Sequence, residues 1–420
     1  MNYIFSIFVH QIQTKRDNMK INQQKKAESD SKYSTIKKQI IKHYIHNGDS
    51  TIPALANELQ LSIPTVTKVI DEMVTEGYIN NYGKIETGTG RQPYAYGLNS
   101  DSGYFIGVEV KRNNITIGVI NFKGDMIELK KSIPYKSENS IEALNELCKQ
   151  ICNFIKKLTI EKEKIININI NIPGRVNSEL GYSFTQFNFE ERPLTEILTE
   201  KIGYKVTIDN DTRAMAFGEY LQGCINKEKD IIFVNISWGL GIGLILNGKL
   251  YYGKSGFSGE FGHVTAYDSE ILCHCGKKGC IETEASGSAL YRIVLERTKK
   301  GESSILSNRI DADKPLTLDN IISAVNNEDM LCIEVIEEIG QKLGKQIAGL
   351  INIFNPELVI IGGSLSQTGD YIIQPIKTAV RKFSLNLVNR DTIITLSQLK
   401  DKAGVVGACM LARSKMFEAE

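Results

Sequence analysis

The sequence predicts an α/β protein in which a small helical module with a β-hairpin wing precedes a large body of two lobes. Three observations carry this. Residues 35–100 hold three short amphipathic helical patterns and then a glycine-rich stretch that alternates apolar and polar residues. From Tyr104 onward strand and helix patterns alternate. That second part, roughly 320 residues, exceeds what one hydrophobic core usually holds, so two lobes with a ligand cleft between them are expected.

Taken in order, residues 1–34 are expected to be an unstructured leader. Tyr3 to Val9 is apolar but lacks a preceding basic residue and is far too short to span a bilayer, and Met19 opens a polar Lys/Gln/Ser run that offers a second start site. Ile36, Ile40, Ile41, Tyr44 and Ile45 then share one helix face, which Gly48 would stop. Ile52, Leu55, Ala56 and Leu59 mark a second helix, Leu61-Ser62 a tight turn, and Val66, Val69, Ile70, Met73 and Val74 the buried stripe of a third, closed by Gly77. Tyr78 to Leu98 reads as a two-stranded wing around Gly83, Gly88 and Gly90. Three helices and a hairpin make a winged helix-turn-helix plan. Its third helix would lie in a major groove, with Ser62, Thr65, Thr67 and Lys68 offered to DNA, while Arg91 and Gln92 at the wing tip reach a minor groove. Basic and acidic side chains balance over this module, so a role in protein contacts alone stays open.

In the larger part, Ile115, Ile117 and Val119 alternate, as do Ile166, Ile168, Ile170 and Ile172, whereas Ile231 to Ile236 is a continuous apolar run suited to a buried strand. Helical patterns fill the gaps at Ile141–Leu158, Thr212–Leu221 and Met330–Phe354.

Composition bounds the function. At 420 residues, with 42% hydrophobic and 24% charged, the chain buries a sizeable core, which excludes bulk disorder and collagen-like repeats. Lys plus Arg is 50 and Asp plus Glu is 49, for a net charge of +1, so a polyanion would have to be bound through a local surface. Eight cysteines are too few for a disulfide scaffold, and no stretch reads as a membrane span; a reducing cytoplasm is expected.

The sharpest chemical signal is His263 followed by Cys273-His274-Cys275-Gly276-Lys277-Lys278-Gly279-Cys280. Three thiols on a glycine-folded loop, with a nearby imidazole, suit a tetrahedral structural Zn²⁺; His274 competes as fourth ligand, and unmetallated cysteines or a local disulfide are the plain alternative. Asn210-Asp211 falls at the carboxyl end of a strand and the start of a helix, where a carboxylate takes a ligand hydroxyl or caps the helix. Glu260 and Glu282 flank the cysteine loop. Gly239-Leu240-Gly241-Ile242-Gly243 resembles a phosphate-cradling turn but continues as a hairpin.

Together with Pro173-Gly174-Arg175-Val176 and Asn355-Pro356-Glu357 before Gly362-Gly363, these motifs over residues 101–415 resemble the ROK family of sugar kinases and sugar-responsive repressors, and the module in front resembles its repressor branch of xylose and N-acetylglucosamine regulators. The resemblance implies an actin/hexokinase-like fold of two lobes, approximately 101–225 and 226–420. It implies zinc on His263, Cys273, Cys275 and Cys280, and a sugar pocket of Asn210, Asp211, Glu260, His263 and Glu282. In the kinases the residue matching Asp211 is the base. One departure decides the reading. Where ROK kinases carry Asp-x-Gly-Gly-Thr to hold ATP phosphates, this chain has Glu109-Val110-Lys111-Arg112-Asn113, and Leu240 stands where a Thr hydroxyl is usual. Bulky side chains in place of both glycines obstruct the nucleotide, and phosphoryl transfer depends on positioning. The expectation is a transcriptional repressor without kinase activity, binding operator DNA and a sugar or sugar phosphate as a homodimer or homotetramer. The alternative is an ATP-dependent hexose or amino-sugar kinase with an appended DNA-binding module.

Overall fold

A computed structural model describes residues 34–45, 47–84, 93–223, 227–311 and 315–416. The expected leader up to residue 33 and the wing tip with Arg91 and Gln92 lie outside them. Two compact units are present, one reaching Gly103 and taking in Asn121–Asp125, the other formed by Tyr104–Ile120 and the chain from Met126 on.

In the first unit a helix begins at residue 34, buries Ile36, Ile40, Ile41 and Tyr44, and closes before Gly48. The second helix, Ile52–Glu58, starts at Thr51, whose side chain accepts from the Ala54 N–H at 3.3 Å. The third, Ile63–Thr75, is capped by Ser62 in the same way and buries Val66, Val69, Ile70 and Met73. The wing has the two expected antiparallel strands, β2 (Ile79–Lys84) and β3 (Tyr94–Leu98), and a third, β1 (Ser50–Thr51), joins them from before the second helix in the order β1-β3-β2. β1 is two polar residues long and exists through its antiparallel pairing with Ala95 and Tyr96.

The second unit contains two five-stranded sheets. The first is built from β4 (Tyr104–Val110), β5 (Asn114–Asn121), β6 (Met126–Pro134), β7 (Ile165–Ile172) and β10 (Val206–Asn210), with the short hairpin β8 (Val176–Asn177) and β9 (Tyr182–Ser183) beside it. The second has β11 (Ile231–Ile236), β12 (Leu240–Leu246), β13 (Lys249–Leu250), β14 (Leu358–Gly362) and β15 (Ile393–Leu396). Their orders, β10-β7-β4-β5-β6 and β13-β12-β11-β14-β15, repeat one plan, an antiparallel meander extended by parallel strands. This is the duplicated layout of the actin/hexokinase-like fold. Helices Ile141–Lys157 and Leu194–Ile202 cover the first sheet; Gly287–Lys299, Leu318–Asn326, Met330–Phe354 and Asp370–Phe383 share a core with the second.

Two helices join the halves. Asp211–Gln222 packs on β11 and β12, and Ala403–Ser414 packs on it and on β4 and β7. They cross on glycines: a Cβ on Gly407 would stand 1.8 Å from the Ala214 carbonyl oxygen, so no larger residue fits this approach. The chain thus returns to the first sheet at its end. Among the described residues no helix is long and apolar enough to cross a membrane.

Candidate functional site

The parallel strands β7 and β10 end side by side; Gly174-Arg175 follows the first, and Asn210-Asp211 is the junction of the second with the next helix. Asn210 caps helix Asp211–Gln222: its oxygen accepts the Arg213 N–H at 3.0 Å, while its Nδ2 donates to the Gly174 carbonyl (2.9 Å) and to Asp211 Oδ1 (3.0 Å). The capping reading of this pair falls on Asn210. Asp211 Oδ1 accepts the Thr212 N–H at 2.8 Å, and Oδ2 takes no part in these bonds. Burial raises the Asp211 pKa; Thr212 and Arg213 oppose this, and the charge of Glu260 adds to it. A carboxyl so placed is suited to accept a hydroxyl proton.

Glu260 lies 4.0 Å from Arg175 Nε and 3.8 Å from His263 Nε2. Glu282, on the short helix Ile281–Glu284 after Cys280, is buried; its Oε2 accepts the Leu240 N–H at 2.9 Å and its Oε1 is 3.1 Å from His274 Nδ1. Contacts thus run without a break from Asp211 through Asn210, Gly174-Arg175, Glu260, His263 and His274 to Glu282, bringing all five expected pocket residues into one constellation. Arg175, quoted in the sequence as part of a motif, supplies the link to Glu260.

Behind it lies the cysteine loop. Gly276 (φ 86°) and Gly279 (φ 75°) turn the backbone so that the Cys273 N–H donates to the Lys277 carbonyl at 2.8 Å, and a Cβ at Gly279 would sit 2.3 Å from the Tyr267 carbonyl oxygen. The donor atoms of His263, Cys273, Cys275 and Cys280 all fall within 4.8 Å of one another, with Cys273 Sγ 3.5 Å from His263 Nδ1 and Cys275 Sγ 3.6 Å from Cys280 Sγ. Zinc bonds of about 2.3 Å to sulfur and about 2.0 Å to nitrogen give a tetrahedron with edges of roughly 3.8 Å between sulfurs and roughly 3.5 Å between sulfur and nitrogen. The donor set fits. Burial raises the Cys273 thiol and pushes Cys280 to about 12, whereas at Cys275 hydrogen bonds from the Lys277 N–H and the two other thiols outweigh burial and lower it; thiolates at Cys273 and Cys280 call for a cation to offset their charge. His274, the competing ligand, groups instead with His263 and Glu282.

On the other face, Glu109, the last residue but one of β4, is 1% exposed and has Lys111 Nζ at 3.3 Å from Oε2. Burial raises its pKa to about 7 against the opposing charge of Lys111. The next residue, Arg112, lays its guanidinium 4.3 Å over the ring of Trp238, in the turn between β11 and β12. The turn after β4 and the turn between β11 and β12 are thus bridged by a cation–π contact. Trp238 went unread in the sequence; the only signal was its being the sole tryptophan.

In the first unit, Ser62, Thr65 and Thr67 lie on the amino-terminal half of the third helix. Ser62 Oγ and Thr65 Oγ1 are 2.7 Å apart, and Thr67 Oγ1 donates to the Ile63 carbonyl. Lys68 is exposed. A surface groove is lined by Ile63, Pro64, Thr67, Lys68, Asp71 and Glu72 among others. Lys37 pairs with Glu72 (3.6 Å) and Glu76 (2.7 Å), which offsets the acidic charge of this helix.

Comparison with known proteins gives matches over both units. Residues 105–415 match the family model of the ROK family and residues 34–80 that of winged helix-turn-helix DNA-binding domains. The xylose repressor of Caldicellulosiruptor bescii is 31% identical over 380 residues, 90% of this chain and 95% of its own length. A crystal structure of a ROK family transcriptional regulator, a homologue of the E. coli MLC protein, superposes with TM-score 0.77 at 26% identity, covering 92% of this chain and 97% of that one. A ROK family glucokinase from Streptomyces griseus, in complex with glucose and AMPPNP, gives TM-score 0.65 at 27% identity over 74% of this chain and 100% of its own.

Proposed function

This chain belongs to the ROK family, and from that premise we propose that it is a sugar-responsive DNA-binding repressor of carbohydrate genes that has no kinase activity. The single observation that carries the second half is the contrast between the two faces of the site. The pocket residues from Asp211 to Glu282 form one connected constellation, while the phosphate seat is filled by Glu109, Lys111 and the stack of Arg112 on Trp238. Zinc, held by His263, Cys273, Cys275 and Cys280, would be structural: four protein ligands leave no open position, and the metal fixes the loop from which His263 turns its Nε2 toward Glu260.

Asp211, Glu260 and Glu282 accept hydrogen bonds from sugar hydroxyls, Asn210 holds the Gly174 loop, and the third helix of the winged unit reads an operator as part of a homodimer or homotetramer. Ligand and operator are linked through differential affinity: to relieve repression a hundredfold, sugar must prefer the DNA-free state by about 2.7 kcal/mol. A cytoplasmic location accords with reduced thiols.

The test uses the one tryptophan. Titrating the full chain with D-xylose, D-glucose and N-acetylglucosamine should change Trp238 emission for at least one of them, and Asp211→Asn should abolish that response, whereas millimolar ATP with Mg²⁺ changes nothing and no ADP is released. ADP release dependent on Asp211 would end the non-enzyme reading, and failure of every sugar to bind would end the sensor reading.

A further inference from the structure

We propose that the pocket is extended by a second saccharide subsite, an aromatic platform of Phe184 and Phe257 flanked by Tyr182, so that the preferred effector is a disaccharide or longer glycoside. This rests on the sugar-pocket reading above and deepens it. Phe184 is 52% exposed and Phe257 37%, although each carries a large apolar ring. Scattered single exposed aromatics need no explanation. These two come from segments far apart in sequence and meet edge to face at 5.4 Å between ring centroids, with Tyr182 6.3 Å from Phe184.

Their meeting is engineered from below by a buried charge. The Arg213 guanidinium, 2% exposed, donates from Nη1 to the Gly256 carbonyl (2.5 Å) and from Nη2 to the Val176 carbonyl (3.0 Å), while its Nε pairs with Asp209, fully buried, at 2.8 Å. Gly256 precedes Phe257, and Val176 pairs with Ser183, next to Phe184. Burying a guanidinium is costly unless every donor is matched, so this network holds the two aromatic loops in one fixed relation. The platform is continuous with the pocket: the Phe184 N–H donates to the Arg175 carbonyl at 2.8 Å, and Arg175 stands beside Glu260.

The chemistry of the occupant follows. A pyranose presents a face of C–H groups that packs on an aromatic ring while its rim of hydroxyls stays in water, so half-exposed rings suit a sugar better than a fully apolar partner. With one ring held among Asp211, Glu260 and Glu282, the next ring of a chain leaving past Arg175 lies against Phe184.

Calorimetry on the full chain, with D-glucose, D-xylose and N-acetylglucosamine against cellobiose, maltose, xylobiose and chitobiose, tests this. At least one disaccharide should bind about tenfold more tightly than its monosaccharide. Phe184→Ala or Phe257→Ala should weaken disaccharide binding between about twofold and tenfold and leave the monosaccharide unchanged, with Phe184→Tyr retaining the preference. The proposal is overturned if monosaccharides bind as tightly as disaccharides, or if the alanine variants weaken both alike. It is equally overturned if sedimentation shows those variants altering the oligomeric state with disaccharide preference intact, which would make this face a contact between copies. Binding of no saccharide at all would instead sink the underlying sugar reading.

Discussion

Replacing Glu109 with Gln tests the physical state of the phosphate seat. Folding raises the Glu109 pKa from the ordinary 4.5 to about 7, because burial disfavours the carboxylate more than Lys111 restores it. At 1.36 kcal/mol per pKa unit, the ionised carboxylate costs the folded state about 3 kcal/mol. The sign follows from where the proton leaves first. Below pH 4.5 the group is protonated in both states and costs nothing. Between pH 4.5 and 7 the unfolded chain ionises and the folded one does not, so stability falls as pH rises, and above 7 the full cost is present. Glutamine is close in shape and never ionises, so the variant should gain on the wild type by about 3 kcal/mol between pH 4.5 and 7.5, roughly 6 °C in melting temperature for a unit of this size. An unmatched buried amide shifts the whole difference by a constant of about 1–3 kcal/mol, so its slope with pH is the informative quantity. Thermal unfolding followed through Trp238 reads the second unit alone, since the chain has no other tryptophan. A difference between the two proteins that stays flat from pH 4.5 to 7.5 would refute the reasoning.

Two further outcomes are expected. Elemental analysis should find one zinc per chain, lost in Cys275→Ser; because His263 reaches the cysteines with Nδ1 and Glu260 with Nε2, the metal-free variant should also bind sugar at least tenfold more weakly, whereas unchanged sugar affinity without metal would sever the two sites. In gel shifts with operator DNA, Lys68→Ala should weaken binding and reduce the salt slope by about 1, and an unaltered slope would remove Lys68 from the phosphate contacts.

The local features were legible because their causes are local. Ser62 and Asn210 sit where helix starts need side-chain acceptors, and the cysteine spacing with its two glycines dictates a closed loop. What stayed hidden depends on distant partners. The Ile/Asn alternation of β7 reads as a strand with one wet face, yet Asn167, Asn169 and Asn171 are all buried. Two of them reach remote sequence, Asn167 Nδ2 donating to the Ala412 carbonyl and Asn171 Nδ2 to the Gly404 carbonyl, while Asn169 Nδ2 donates to Asn171 Oδ1, so the polar face is a seam for the last helix. The same holds for Arg213, which in sequence merely opens a helix, for the two-residue strand Ser50–Thr51, and for Trp238 beneath Arg112.

The two faces of the site are held by different parts, so on the proposed reading one could change without the other. Asp211 is oriented by Asn210 and the start of its own helix, and Glu260 is approached by Arg175 and His263; none of these bonds involves Glu109, Lys111 or Arg112. Glu282 touches both. Glu282 holds the Leu240 N–H with Oε2, two residues from Trp238, so a sugar hydroxyl that engages Glu282 pulls on the turn carrying the Arg112 stack. That stack, half exposed, contributes about 0.5–1 kcal/mol, well short of the ~2.7 kcal/mol that hundredfold induction demands. The remainder corresponds to about two net hydrogen bonds of roughly 1 kcal/mol each made to sugar in one state only. In the repressor proposed above, Arg112 therefore tunes the switch, and the carboxylates of the pocket drive it.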